Sequence, residues 1–179
     1  FHAVGGLEVA YTKERLRDLQ RRRGWATAYG MPSEIISPEQ TRDLVPILDP
    51  KVIHGSFYTP LDGVAKAVRL LTAMGRACEA LGVAFHGNTA VQDLETEGGR
   101  IVAVVTDKGR IEAENVLLCT NIWGPVLVQK FGISIPLMAA QHIYTVTSPV
   151  RELAGETVEV RHPLMRHQDH AMYFRQHGD

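Results

Sequence analysis

The spacing of apolar and polar residues predicts a strand followed by a helix at the start of the chain. Residues 6–10 alternate as expected of a half-buried strand. Thr12 is a preferred capping residue, and Leu16 and Leu19 after it lie on one helical face. Gly24 is the expected end of the helix, because glycine readily adopts the left-handed conformation that terminates many helices. The chain therefore begins with a β-to-α step.

A second short strand and helix are predicted next. Residues 34–37 are β-prone, and Ser37 and Pro38 are the residue types preferred at a helix cap and at the first helical position. Proline cannot continue a helix, so this one is expected to end before Pro46.

Residues 55–86 are predicted to form a strand, a helix and a second strand. A β-prone run at 55–59 is followed by apolar residues at helical spacing over 64–81. Gly82 is placed to end the helix, and 83–86 then reads as a strand. The segment is therefore a βαβ candidate with a right-handed crossover.

The apolar period then changes to two. Segments 91–96, 101–106 and 110–113 alternate around glycine-containing turns, which predicts an antiparallel meander. The continuous apolar run 116–119 is typical of a strand covered on both faces, and a turn and short helix reaching Gly132 should follow.

Residues 135–150 are predicted to be β-rich. Strand alternation would place His142 and Tyr144 on one face, where an imidazole and a phenol could bind or deprotonate an amine. The alternative from the residues alone is an ordinary amphipathic strand with a hydrogen-bonded histidine and a tyrosine ring in the core.

Residues 158–176 are also predicted to be β-rich, with Tyr173 and Arg175 on one face. Arginine there could bind a carboxylate through two parallel hydrogen bonds. The alternative is that Arg175 is an ordinary surface arginine on an edge strand without a binding role, and the residues alone leave both interpretations open.

The composition limits the classes of function. The chain has 179 residues, 45% of them hydrophobic, which is enough for one substantial core. Nineteen basic residues stand against 20 acidic ones, so no field of one sign exists to attract nucleic acid or an anionic membrane. No apolar stretch approaches the roughly 18 residues of a membrane span. We expect a soluble, intracellular protein that acts on small molecules.

Cysteines and histidines form no disulfide or metal pattern. Cys78 and Cys119 lack CxxC spacing, and buried free thiols are expected. Four histidines crowd the last part of the chain, but their spacing sends neighbours to opposite strand faces, so no metal site is expected. The basic run 21–23 is interpreted as the solvated end of the first helix.

Several segments, in this order and spacing, together resemble one family. They are 57–63 (FYTPLDG), the meander 91–113, 117–124 (LLCTNIWG), 136–144 ending in His-Ile-Tyr, 147–150 (TSPV) and 164–179. The chain is similar over nearly its whole length to the glycine-oxidase and D-amino-acid-oxidase superfamily of flavoproteins, specifically its dimethylglycine and sarcosine dehydrogenase/oxidase branch.

The resemblance implies an α/β fold in which part of a Rossmann-like FAD-binding domain with a β-meander joins a β-rich substrate domain. It assigns 1–82 to a substrate-domain segment with the crossover helix, 83–134 to the FAD domain, and 135–179 to the substrate-domain sheet. Family members hold the FAD pyrophosphate on a GxGxxG motif, which this sequence lacks. The chain also has no initiator Met, so we expect an internal piece of a longer protein with little activity alone.

Cofactor contacts are implied at the start of the meander and at the turn after the apolar run. The residues are Val91, Thr120, Asn121, Trp123 and Gly124. Close relatives often carry Ala-Gly where this chain has Thr120-Asn121, a departure that matters because small residues allow close backbone approach.

The resemblance also implies a substrate site. His142 and Tyr144 would be the catalytic pair, while Tyr58, Tyr173 and Arg175 would contact an N-methyl amino acid. FAD would accept a hydride from the N-methyl carbon, and water or tetrahydrofolate, whose domain in many relatives is not part of this sequence, would capture the iminium.

Several alternatives stay open from the sequence. The electron acceptor is oxygen or an electron-transfer protein, and the location is the cytoplasm, or the mitochondrial matrix in a eukaryote. The same branch includes a non-catalytic relative, the regulatory subunit of pyruvate dehydrogenase phosphatase, which acts by binding protein. A structural domain of a folate-binding protein is a third reading.

Overall fold

A computed structural model describes residues 1–178, which form two compact units. The first unit comprises residues 1–75 and the chain from Val146 onward, and the second comprises residues 76–145. Both contain sheets and helices, so the mixed α/β fold class is confirmed.

The elements are numbered in chain order. The strands are β1 (Gly6–Val9), β2 (Glu34–Ile36), β3 (Ser56–Thr59), β4 (Val91–Glu97), β5 (Arg100–Thr106), β6 (Gly109–Glu112), β7 (Leu164–His167) and β8 (Met172–Phe174). The α-helices are α1 (Lys13–Ala28), α2 (Pro38–Leu44), α3 (Ala67–Ala80) and α4 (Gly124–Val128). Short 3₁₀ turns cover Pro50–Val52, Asn121–Trp123, Gln129–Phe131, Arg151–Leu153 and Gln168–His170.

A five-stranded sheet organises the first unit, in the order β2-β3-β1-β7-β8. β1 and β7 are parallel, and the other neighbours are antiparallel. One face of the sheet covers a core of six buried residues, Leu7, Val9, Ile36, Val45, Ile53 and Met165. The other face carries Glu8, which is ion-paired to Arg22 of α1.

Helix α1 begins as predicted but ends later than predicted. The Thr12 side chain accepts a hydrogen bond from the Arg15 amide at 3.0 Å. The helix continues through Gly24, because burial of Ala26 beyond it stabilises a further turn. Gly30, at φ 69°, follows the end of the helix. The basic run 21–23 therefore lies inside the helix, so its expected place at the helix end was wrong, whereas Arg21 and Arg23 are exposed to solvent as expected.

The prediction of α2 is confirmed. Ser37 and Gln40 form a reciprocal capping box, in which the Ser37 hydroxyl accepts from the Gln40 amide and the Gln40 side chain accepts from the Ser37 amide. Pro38 occupies the first turn, and the helix ends at Leu44, before Pro46.

The βαβ candidate over 55–86 is wrong. β3 runs antiparallel to β1 and β2, and 83–86 pairs with no strand among residues 1–178. Helix α3 does form, and Gly82 follows it at φ 88° as predicted. Its residues are exposed or half-buried. A strand needs a hydrogen-bonded neighbour, which apolar sequence cannot supply alone.

The meander in the second unit is confirmed. β4, β5 and β6 pair antiparallel in sequence order, and Gly98 and Gly99 have φ 57° and 78° in the first hairpin turn. The 3₁₀ turns and α4 that follow end at Gly132, which has φ 70° as expected of a helix terminator.

Two segments predicted to form strands contain none in the part of the chain that the structure describes. Residues 116–119 are not in a strand, and Leu117 is 87% exposed. Residues 135–150 contain no strand either.

Cys78 and Cys119 are free thiols as expected, but Cys78 is half-buried and Cys119 exposed, so the expected burial was wrong. Within residues 1–178, no helix is long and apolar enough to cross a membrane.

Candidate functional site

Tyr173 lies on β8, the edge strand of the five-stranded sheet, and Arg175 is the first residue after that strand. Tyr173 is opposite Arg166 of β7, whose guanidinium carbon lies 4.4 Å from the centre of the phenol ring. Arg166 in turn is opposite Glu8 of β1, so these three side chains form a row across one face. Arg175 follows the last residue of β8, so strand pairing does not fix the side on which its side chain lies. The expectation that Tyr173 and Arg175 share one face therefore stays a prediction.

Tyr58 lies on the opposite face of that sheet. It is opposite Leu7 of β1, and it packs against the apolar core that contains Leu7. A side chain at Gly5 would come within 2.6 Å of the Tyr58 ring, so glycine there makes room for the phenol. Tyr58 and Tyr173 are therefore not brought together, and a shared substrate contact stays a prediction.

His142 and Tyr144 belong to the second unit. Both are exposed, in a segment without strand pairing, so the expectation that a strand orients them is wrong. The reason is again the missing neighbour, since period-two polarity fixes a face only after a strand is paired. Their catalytic role stays a prediction.

The turn at residues 120–124 connects the apolar run 116–119, in which exposed and half-buried residues alternate, to α4. Asn121 has φ 48°, in the left-handed region that glycine adopts most easily and asparagine next. Gly124 is buried, and an added side chain there would lie 3.0 Å from the Thr120 hydroxyl oxygen. Trp123 is 71% exposed. Asparagine can therefore keep the backbone conformation that a glycine would provide.

Replacing Asn121 with glycine is expected to leave the free energy of unfolding within about 0.5 kcal/mol of the wild-type value. Replacing it with valine is expected to lower that free energy by about 1–2 kcal/mol, because a β-branched residue is strained at positive φ. Urea denaturation followed by circular dichroism measures both. Equal stabilities for the glycine and valine variants would contradict the left-handed assignment.

Val91 is the first residue of β4 and is opposite Thr106. The Asp107 carboxylate accepts a hydrogen bond from the Ala90 amide at 2.9 Å, which fixes the entry into the strand. Val91 itself is 46% exposed. It is therefore an accessible apolar side chain at a fixed strand end, and its cofactor contact stays a prediction.

Two charged residues near Arg175, Lys66 and Glu159, were missed in the sequence. Arg175 Nη2 lies 3.4 Å from a Glu159 carboxylate oxygen and 3.1 Å from His177 Nδ1. The other Glu159 oxygen is ion-paired to Lys66. The hydrogen bond from Lys66, followed by the charges of Lys66, Arg175 and His177, lowers the pKa of Glu159. Lys66 and Glu159 lie far from Arg175 in the sequence, so no short motif could have revealed that they meet it.

The model of the FAD dependent oxidoreductase (DAO) family matches residues 1–179. The chain belongs to this family. Mitochondrial sarcosine dehydrogenase from Mus musculus is 29% identical over 180 residues, covering 98% of this chain and 19% of the relative. The mitochondrial regulatory subunit of pyruvate dehydrogenase phosphatase from Mus musculus is 33% identical over 148 residues, covering 82% of this chain and 17% of that protein.

Among solved structures, L-proline dehydrogenase from P. horikoshii superimposes with a TM-score of 0.79 at 24% identity. The match covers 99% of this chain and 47% of that one, and at this identity it shows the fold. The family expected from the sequence is confirmed by the family model, which matches the whole chain. The chain spans less than a fifth of the length of the two curated relatives.

Proposed function

We propose that this FAD-dependent oxidoreductase chain belongs to a flavoprotein that oxidises an N-methyl amino acid such as sarcosine or dimethylglycine. The observation that carries the proposal is the similarity to sarcosine dehydrogenase, which extends over 98% of the chain and so includes both units. The net charge of −1 also suits a small-molecule substrate better than a polyanion.

FAD, when bound, supplies the acceptor for a hydride from the N-methyl carbon. The chain's own residues have three tasks. His142 takes the proton that keeps the amine uncharged, and Tyr144 orients the amine by a hydrogen bond. Arg175 binds the substrate carboxylate. The iminium left on the substrate adds water to release formaldehyde, or passes its carbon to tetrahydrofolate, and oxygen or an electron-transfer protein takes the electrons.

The residues assigned to the cofactor suit its uncharged part. The turn at 120–124 offers the Thr120 hydroxyl and the exposed indole of Trp123, while the buried Gly124 makes room for the Thr120 side chain. The stretch from 119 to 128 contains no basic residue, so it fits the flavin ring better than the pyrophosphate. Val91 would add an apolar contact.

The second candidate is a non-catalytic regulatory role, which the 33% identity to the phosphatase regulatory subunit favours. That similarity covers a smaller share of the chain than the similarity to sarcosine dehydrogenase does. Both relatives are named as mitochondrial, which fits the matrix location proposed for a eukaryotic source.

Anaerobic titration of the purified protein with sarcosine and with dimethylglycine is expected to bleach its flavin absorbance. The substrate with the lower half-saturation identifies the preferred amine, and glycine, which has no N-methyl group, serves as the control. A flavin that neither amine reduces would contradict the proposed oxidation. A protein without flavin that binds the phosphatase would favour the regulatory candidate.

A further inference from the structure

Glu159 is held in a fixed position beside the segment that follows β8. The Gly178 amide donates a hydrogen bond to the Glu159 carbonyl at 3.0 Å, and the next residue, Val160, is buried. The buried Gln176 side chain accepts hydrogen bonds from the amides of Arg161, at 2.7 Å, and His162, at 3.3 Å. The Glu159 carbonyl and the backbone that follows it are thus tied to the chain just after Arg175.

Two permanent cations from separate parts of the first unit converge on the Glu159 carboxylate. Lys66, directly before α3, is ion-paired to one oxygen, and Arg175 lies 3.4 Å from the other. His177 lies beside Arg175. A single carboxylate therefore balances two cations, and its lowered pKa agrees with a local field that favours an anion.

The cluster is open to solvent. The side chain of Glu159 is 46% exposed, while those of Lys66 and Arg175 are 28% and 32% exposed. Ion pairs of this exposure contribute little net free energy, because water screens them and both partners lose side-chain entropy. Another carboxylate can consequently replace Glu159 at small cost, whereas the cations stay in place.

We propose that Lys66 and Arg175 form a binding site for the carboxylate of an amino-acid substrate, and that Glu159 fills this site until the substrate displaces it. The inference rests on the proposed function, since it names where an N-methyl amino acid is held. It adds Lys66 as a binding residue, and it makes Glu159 an internal competitor. Amines without a carboxylate cannot displace Glu159, so the site selects amino acids over simple N-methylamines.

Calorimetric titration with methoxyacetate tests the site without requiring turnover. This probe has the size and carboxylate of sarcosine but an ether oxygen in place of the amine. Lys66→Ala and Arg175→Ala are each expected to weaken its binding about tenfold or more, since each removes a charged hydrogen-bond donor. Glu159→Gln is expected to tighten binding about two- to fivefold, because a neutral amide competes poorly for the two cations.

Lys130→Ala is the matched control, because Lys130 is also a partly exposed lysine in an ion pair, with Asp93 of the second unit. It is expected to leave methoxyacetate binding unchanged. Thermal denaturation of each variant checks that the fold persists, and Arg175→Lys, which keeps the charge, should recover part of the affinity.

The outcomes separate this inference from the proposed function. Unchanged methoxyacetate affinity in Lys66→Ala and Arg175→Ala, or weaker binding in Glu159→Gln, would overturn the inference even if sarcosine is oxidised. The expected pattern in a protein that oxidises neither amine would leave the carboxylate site standing while the proposed oxidation fails.

Discussion

Replacing His142 with alanine is expected to slow flavin reduction by the preferred N-methyl amino acid about 100-fold, with flavin content unchanged. The amine must lose its proton before a hydride can leave the N-methyl carbon, and the imidazole is the proposed acceptor of that proton. His142 is exposed, so its removal leaves no cavity in the fold. Rapid mixing under anaerobic conditions measures the reduction rate directly.

A second histidine provides the matched control. His86 is also exposed and belongs to the same unit, yet it has no assigned role. In His86→Ala the substrate should reduce the flavin at the wild-type rate. In Tyr144→Phe the rate of flavin reduction should fall between the rates of the two histidine variants. If His142→Ala stays within about threefold of wild type, a difference too small for a lost general base, the proton acceptor is another residue.

Local signals in the sequence were sufficient wherever an element is specified by its own residues. Ser37, Pro38 and Gln40 contain the whole capping arrangement of α2, and glycines at 98–99 specify the β4–β5 hairpin. These elements formed as predicted because each depends on hydrogen bonds between residues a few positions apart.

Strands that depend on distant partners were not predictable in the same way. The run 116–119 and the segment 135–150 have strand-like patterns, but neither has a paired neighbour among residues 1–178. Conversely, β1 and β7 pair in parallel although they come from opposite ends of the chain, and no local pattern indicates that register. The prediction that α1 ends at Gly24 failed for a related reason, since burial of Ala26 outweighs the cost of about 1 kcal/mol for a glycine inside a helix.

In the candidate site, too, local sequence patterns give less than the tertiary contacts that bring distant residues together. Alternation predicts a common side for Tyr173 and Arg175, which stays a prediction because Arg175 lies beyond the paired residues of β8. Alternation could not show that Tyr58 faces the opposite way from Tyr173, because that depends on the β1–β3 register. Lys66 and Glu159 meet Arg175 through tertiary folding. Charge clusters of this kind become visible once three distant segments are in place.

Replacing Arg22 with alanine is expected to lower the free energy of unfolding by about 2–3 kcal/mol. Glu8 is buried in the middle of the five-stranded sheet, and one of its oxygens accepts a hydrogen bond from Arg22 at 2.8 Å. The other oxygen lies 4.0 Å from Arg15, too far for a hydrogen bond. Without Arg22, the Glu8 charge would stay buried with weak compensation. The partial exposure of Arg22 places the expected loss at the lower end of the range for buried pairs.

The neighbouring Arg23 is the control for this prediction, because it is exposed on the same helix. Arg23→Ala should change the stability by less than about 0.5 kcal/mol in urea denaturation. Adding Glu8→Gln to Arg22→Ala should recover part of the lost stability, since no charge is then left buried. Equal losses in the two arginine variants would mean that Glu8 is compensated by water or by Arg15 instead. Glu8 lies in the row that continues through Arg166 to Tyr173, so a confirmed loss would also show that this pair supports the sheet face on which Tyr173 lies.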